Sequence, residues 1–347
     1  MSPRADSYKS AGVDIDAGGR AVELMRAEVE STHNPHVLSS GGDFGGMYAL
    51  DDRTVLVSST DSVGTKVRLA AATGEYRSIG VDLVNHCVND ILTCGARPLY
   101  FLDYFASSRI NPAIVAEAVG GASEACREAG CALLGGETAE LPGVYHEGEF
   151  DLAGFITGVV ERDRLLDGSG VREGDVLVAL PSSGLHTNGF SLVSHILTES
   201  GARPFDASVL DEAELPSGRL LREALLTPHR SYLHDVRPWL DSGAVSGIAH
   251  ITGGGLTDNL PRVPSVGLSP VVDLESWTPP ELFVYLQRRG EVSDAEMYRV
   301  FNMGVGLVLF VPPEHAEDVV ARTNGAWRLG RVEAGDGAVV FRGGRLD

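Results

Sequence analysis

Five short stretches of this sequence gather acids, hydroxyls and glycines where a strand gives way to a turn or helix. The first is Ser59-Thr60-Asp61-Ser62-Val63-Gly64-Thr65-Lys66. A carboxylate, hydroxyl groups, a glycine and a lysine at a strand end make a compact phosphate and metal site. It is not a Walker A loop, because no GxxxxGK precedes a Ser or Thr. The bland alternative is a polar turn with a surface lysine. Lysine is scarce, however: the chain has 28 Lys+Arg, of which only Lys9 and Lys66 are lysines.

The second stretch is Asn89-Asp90, in a segment where Val84, Val88 and Ile91 fall on one apolar helix face. Polar groups beside a buried stripe need partners: a divalent ion, a helix cap or a salt bridge. The third, Gly135-Gly136-Glu137-Thr138-Ala139-Glu140, offers backbone N–H groups to phosphate and acids to a cation. In the fourth, Ser182-Ser183-Gly184-Leu185-His186-Thr187-Asn188-Gly189, small residues expose donors at a helix start, with His186 placed for proton transfer or a substrate hydrogen bond. The fifth, His250-Ile251-Thr252-Gly253-Gly254-Gly255, suggests a second phosphate seat. Glu30 to His36 holds two histidines, but their spacing matches no standard metal site.

The elements that must hold these loops alternate. Strands are expected at 53–60, 98–106, 131–136 and 150–161, with helices from about Tyr76 to Cys94 and after Asn111-Pro112. Strands 98–106 and 150–161 are apolar enough for burial on both faces. Residues 1–50 read as a flexible arm, and a turn-rich stretch near residue 170 as a boundary. The second half repeats the alternation: strand 175–183, helix 189–197, strand 247–252, a loop and a short helix, then helices and strands to the end. The expected class is α/β with mixed sheets, as domains 1–170 and 171–347.

With 347 residues, 43% hydrophobic and 22% charged, the chain is neither disordered nor fibrous. Its net charge of −20 argues against a nucleic-acid or anionic-membrane binder. No stretch reads as a signal peptide or a membrane span, and Cys87, Cys94, Cys126 and Cys131 lack metal spacing. A cytoplasmic, reduced protein is the expectation. The 42 glycines cluster in loops rather than repeating, which points to backbone approaching ligands.

Taken in order, AGVDIDAG (11–18), STDSVGTK (59–66), VNDILTCGARPLYFLDY (88–104), LLGGETAELPGVYHEGEFDLAGF (133–155), SSGLHTNGFSLV (182–193), IAHITGGGLTDNLPRV (248–263) and EMYRVFNMGVGL (296–307) resemble the phosphoribosylformylglycinamidine cyclo-ligases. Ser59 and Ser62 depart from that pattern, standing where glycines are expected. The resemblance implies ATP-dependent closure of formylglycinamidine ribonucleotide to 5-aminoimidazole ribonucleotide. It implies two α/β domains, with the N-terminal sheets of a homodimer forming a shared barrel. It assigns Asp61, Asp90 and Glu137 to Mg²⁺ and Lys66 to a phosphate oxygen. Thr60, Gly64, Thr65, Gly135, Gly136 and Arg26 would contact ATP. Ser183, Gly184, Asn188, Gly253, Gly254 and Gly255 would hold the substrate, with His186 acting on it. Selenophosphate synthetases would need an early reactive Cys, yet the first here is Cys87; thiamine-monophosphate kinases would carry paired acids where GGDFGG has one. The alternative is a non-catalytic nucleotide-binding relative.

Overall fold

The computed structural model describes residues 15–39, 43–198, 205, 207–212, 214–263 and 265–344. The motif residues 11–14 fall outside these. In the N-terminal half β1 (Gly46–Ala49), β2 (Thr54–Ser62), β3 (Arg97–Ser107), β4 (Ala132–Glu140) and β5 (Phe150–Glu161) form one sheet, in the order β1-β2-β5-β3-β4. Only the β3–β4 pair is parallel. In the C-terminal half β6 (Val176–Pro181), β7 (Gly247–His250), β8 (Leu268–Asp273), β9 (Val305–Val311), β10 (Trp327–Ala334) and β11 (Val340–Arg342) form a second, ordered β11-β8-β10-β6-β9-β7. Both sheets are mixed, as the alternation of elements predicts. No helix among the described residues is long and apolar enough to cross a membrane.

The stretch read as an arm contains helix α1 (Ile15–Glu30), whose residues 17–30 are exposed, and strand β1. After β2 come α2 (Lys66–Thr73) and α3 (Arg77–Thr93); α4 (Pro112–Ala129) follows β3. Asn111 caps α4 by accepting a hydrogen bond from the Ala113 N–H at 3.1 Å, with Pro112 at the first helical position. Helices α3 and α4 touch backbone to backbone. A Cβ on Gly80 would lie 1.9 Å from the Ala118 carbonyl oxygen, and one on Gly121 1.9 Å from that of Arg77.

Strands β3 and β5 do not bury both faces. Phe101, Phe105, Leu152 and Ile156 point to α3 and α4 and are buried, whereas on the other face Phe155 is 46% exposed. Tyr48 and Leu134 are also exposed. Among the described residues, helices cover only one side of this sheet, so the hydrophobic strands keep an uncovered face.

Helix α3 is buried almost all round, and one stripe of it is polar: Asp82, Asn85, His86, Asn89 and Asp90. Their spacing of three and four residues puts them on one face, and the partners come from the second half of the chain. Asn85 donates to the His229 carbonyl (2.7 Å) and Asn89 to that of Arg230 (2.8 Å). The backbone N–H groups of Tyr232 and His229 donate to Asn89 (3.0 Å) and Asp82 (2.7 Å). These bonds satisfy the buried polar groups and dock the two halves, so the choice left open for Asn89 resolves in favour of protein partners.

Candidate active site

Where the two halves meet, four imidazoles are buried together. His86 comes from α3, His186 from the turn before α5 (Phe190–Leu197), His229 from the segment after the helix Leu221–Leu226, and His250 from the end of β7. His186 stacks on His229 with ring centroids 3.9 Å apart at 18°. Nε2 of His229 lies 3.1 Å from Nε2 of His250, and Nδ1 of His250 lies 2.8 Å from Asp90 Oδ1. Nε2 of His86 pairs with Asp61 at 2.8 Å. Burial alone would lower the pKa of His86, but the carboxylates of Asp61, Asp90 and Asp82 outweigh it and hold it at about 9. His186 and His229 are pushed well down by burial and by the neighbouring cations. Burial also lowers His250, against the pull of Asp90.

His186 adopts φ +60, a costly conformation for a residue with a Cβ. Its Nε2 accepts the Ser183 N–H at 3.2 Å, so the hydrogen sits on Nδ1, which has no partner. Asn188 Nδ2, two residues on, is also buried without one. Two orphan donors in one loop cost free energy unless an acceptor reaches them. The structure buries His186, at 1% exposure.

Lys66 departs most from expectation. It opens α2, wholly buried, with Nζ 2.7 Å from Asp82 Oδ2, 3.1 Å from the Thr227 carbonyl and 3.4 Å from that of His186. With one carboxylate ion pair and two carbonyl acceptors around its ammonium, Lys66 ties the halves together and is not presented to a phosphate.

The three carboxylates expected on one Mg²⁺ do not converge within the chain. Asp61, still 39% exposed, accepts from His86 and from the Ser62 N–H (2.6 Å). Both oxygens of Asp90 are engaged, Oδ1 by His250 and Oδ2 by the Ser59 hydroxyl at 3.0 Å. Glu137 is exposed on β4, three strands from Asp61 and, by register, on the opposite face of the sheet. Two nitrogen-rich sets, His186/His229/His250 and His86/Asp90/His250, have ligand atoms within 4.8 Å of one another. An imidazole binds metal in its ring plane, so stacked His186 and His229 cannot both address one ion. In the second set, Asp90 and His250 are already each other's partners.

The remaining candidates divide by location. Thr60 lies on the uncovered sheet face and donates to the Gly154 carbonyl at 2.9 Å. Gly64 has φ +64 with open space around it, and Thr65 bonds Ser191 at 2.7 Å. Gly135 and Gly136 belong to edge strand β4 rather than to a loop. Arg26 is exposed on α1 with no bond to the site. Ser183 Oγ donates to the Pro228 carbonyl (2.6 Å), and the Gly184 carbonyl accepts from Asn302 (2.9 Å). Of the three successive glycines, Gly254 and Gly255 answer to the fold: a Cβ would meet Asp258 at 2.6 Å or the Tyr298 carbonyl at 2.0 Å. Gly253 is exposed, beside Asn188.

Sequence reasoning assigned no role to His86, His229 or His250. His86 carries a local signal, four residues before Asp90 on a helix. His229 follows Pro228 in no recognisable motif, and only the fold brings it in.

The family model for the N-terminal domain of AIR synthase related proteins matches residues 42–160, and that for the C-terminal domain matches 172–342. A phosphoribosylformylglycinamidine cyclo-ligase of Desulfitobacterium hafniense is 50% identical over 325 residues, covering 92% of this chain and 93% of the relative. One from Trichlorobacter lovleyi is 46% identical over 340 residues, covering 96% of each. Among solved structures, AaThiL complexed with AMPPCP and TMP matches with a TM-score of 0.63 at 16% identity over 94% of each chain, a likeness of fold alone. On these matches, the chain belongs to the AIR synthase family and, within it, to the phosphoribosylformylglycinamidine cyclo-ligases.

Proposed function

We infer that the chain is an ATP-dependent ligase of purine biosynthesis, closing formylglycinamidine ribonucleotide to 5-aminoimidazole ribonucleotide with release of ADP and phosphate. The observation that carries this reading is the 50% identity, across 92% of the chain, to a relative of that name. ATP is needed because an amide oxygen is a poor leaving group. Its transfer to the γ-phosphoryl group gives an imidate-like phosphate ester, and the amidine nitrogen then displaces phosphate as the ring forms. The protein's part is positioning and charge stabilisation.

His186 is assigned to the formyl oxygen. Its Nδ1–H is free to donate, while its lone pair is occupied by the Ser183 N–H. This favours orienting and polarising the amide over taking the ring proton. Asn188 and Gly253 stand side by side and are assigned to the ribose phosphate, with Ser183 and Gly184 shaping the loop. The uncovered face of the N-terminal sheet, with Thr60 and Glu137, and the turn at Gly64-Thr65 suit the nucleotide. Bound to ATP, Mg²⁺ would neutralise phosphate charge; Asp61, Asp90 and Glu137 do not meet on one ion within a single chain.

The apolar part of that sheet, with Tyr48, Leu134 and Phe155 exposed, suits a homodimer closing a shared barrel, and the free cysteines suit the cytoplasm. A monomer by light scattering at micromolar concentration would refute the dimer. The catalytic reading is tested by ADP formation: it is expected to depend on formylglycinamidine ribonucleotide, whereas ATP binding without turnover would favour a non-catalytic relative.

A further inference from the structure

A line of hydrogen bonds crosses the buried histidines and turns on one hydroxyl. Thr187 Oγ1 lies 2.6 Å from Nδ1 of His86 and 3.5 Å from Nδ1 of His229. The line ends on carboxylates: Asp61 beside Nε2 of His86 and Asp90 beside Nδ1 of His250, each at 2.8 Å. Between them, Nε2 of His229 faces Nε2 of His250 at 3.1 Å.

For all of these contacts to be hydrogen bonds, the cluster must carry one extra proton, placed on a ring that meets a carboxylate, His86 or His250. Carboxylates accept, so His86 carries a hydrogen on Nε2 and His250 carries one on Nδ1. Two lone pairs cannot bond each other, so the contact between His229 and His250 needs a hydrogen on one Nε2. If His250 has spent its single hydrogen on Asp90, His229 supplies it. Nδ1 of His229 is then a bare acceptor, and the Thr187 hydroxyl is the donor beside it. Because Asp61 at 2.8 Å and Asp90 at 3.8 Å flank His86, whereas His250 meets Asp90 alone, the extra proton is placed on His86. The Thr187 oxygen accepts the hydrogen of its Nδ1, which lies 2.6 Å away. Since His186 lies face to face on His229, whatever fixes His229 also fixes the surface under His186.

We propose that Thr187 is a positioning residue of the active site: its hydroxyl takes the Nδ1 hydrogen of His86 and gives its own to Nδ1 of His229, holding His229 as donor to His250 and as the platform for His186. Its effect on turnover rests on the reaction assigned above; the hydrogen pattern does not.

The test has two arms. In protein labelled with ¹⁵N-histidine, ring-nitrogen NMR is expected to show His229 protonated at Nε2 and unprotonated at Nδ1. His229 protonated at Nδ1 would overturn the proposal. In the kinetic arm, Thr187→Val should lower kcat about 10-fold, the loss of one buried hydrogen bond, with little change in KM. Thr187→Ser, which keeps the hydroxyl, should restore it. Wild-type kcat in Thr187→Val, or no rescue by Thr187→Ser, would overturn the positioning role. Should Thr187→Val fail to fold, the wild-type spectrum and the serine variant decide. Absence of turnover in the wild type would sink the functional reading while leaving the spectrum to judge the hydrogen pattern.

Discussion

Replacing Lys66 by methionine separates two roles that the sequence could not distinguish. If Lys66 holds a phosphate, the variant should fold normally and bind ATP poorly. The structure places it instead against Asp82, both side chains at 0% exposure, with the Thr227 and His186 carbonyls as further acceptors. Methionine fills similar space but strands the Asp82 carboxylate, whose pKa burial already pushes up against the pull of Lys66. Breaking a buried pair from one side costs about 3–5 kcal/mol. For a domain of roughly 150–250 residues, that lowers Tm by about 6–20 °C. Adding Asp82→Asn removes the stranded charge and keeps an acceptor for the His229 N–H, so the double variant should recover more than half of the loss. Thermal and denaturant melts followed by circular dichroism make the measurement, with KM for ATP determined on the folded protein. A Lys66→Met variant that melts within about 2 °C of wild type, with KM for ATP raised, would refute the buried-tie reasoning and reinstate the phosphate role.

The same geometry sets the pH dependence of stability and the effects of substitutions at Gly255, Gly253 and His186. His86 has its pKa raised from 6.5 to about 9, so it binds its proton more tightly folded than unfolded. Its contribution, on the order of 3 kcal/mol, is full below about pH 6.5 and is lost as pH rises through about 9. His86→Asn should flatten that slope in denaturant melts. His186, His229 and His250, all lowered, should add the opposite slope below about pH 6.5. Gly255→Ala, at φ +58 and against the Tyr298 carbonyl, should impair folding. Gly253→Ala should leave the melt unchanged and raise KM for the ribonucleotide; the reverse pattern would remove Gly253 from the substrate site. His186→Ala should lower kcat about 10–100-fold, a lost buried donor, and unchanged turnover would remove His186 from the reaction.

Regular elements were legible because their periodicity is local. The strands at 98–106 and 150–161 and the helix from Arg77 lie within a residue or two of expectation. Helix α1 was missed although Val22, Met25 and Val29 fall at helical spacing, and all three are exposed in the single chain. The motif residues Asp61, Asp90 and His186 were legible as polar groups in odd places, but their partners were not. Asp90 meets His250 and Ser59, each far away in sequence, and His229 reaches the cluster only because α3 docks on its backbone. Ser59, standing where the resemblance expects a glycine, supplies the second bond to Asp90. The glycine run has a packing reason as well, since a Cβ on Gly255 would meet the Tyr298 carbonyl of the same chain. Scarcity correctly singled out Lys66, yet no local pattern distinguishes a lysine held by Asp82 from one held by phosphate.

Ring closure through a phosphate ester moves the amide oxygen onto phosphorus. Incubating the enzyme with ATP, Mg²⁺ and formylglycinamidine ribonucleotide bearing ¹⁸O in its formyl group tests this directly. Aminoimidazole and phosphate should appear in equal amounts, with the label in the phosphate. Aminoimidazole formed with unlabelled phosphate, the ¹⁸O having passed to water, would contradict the account.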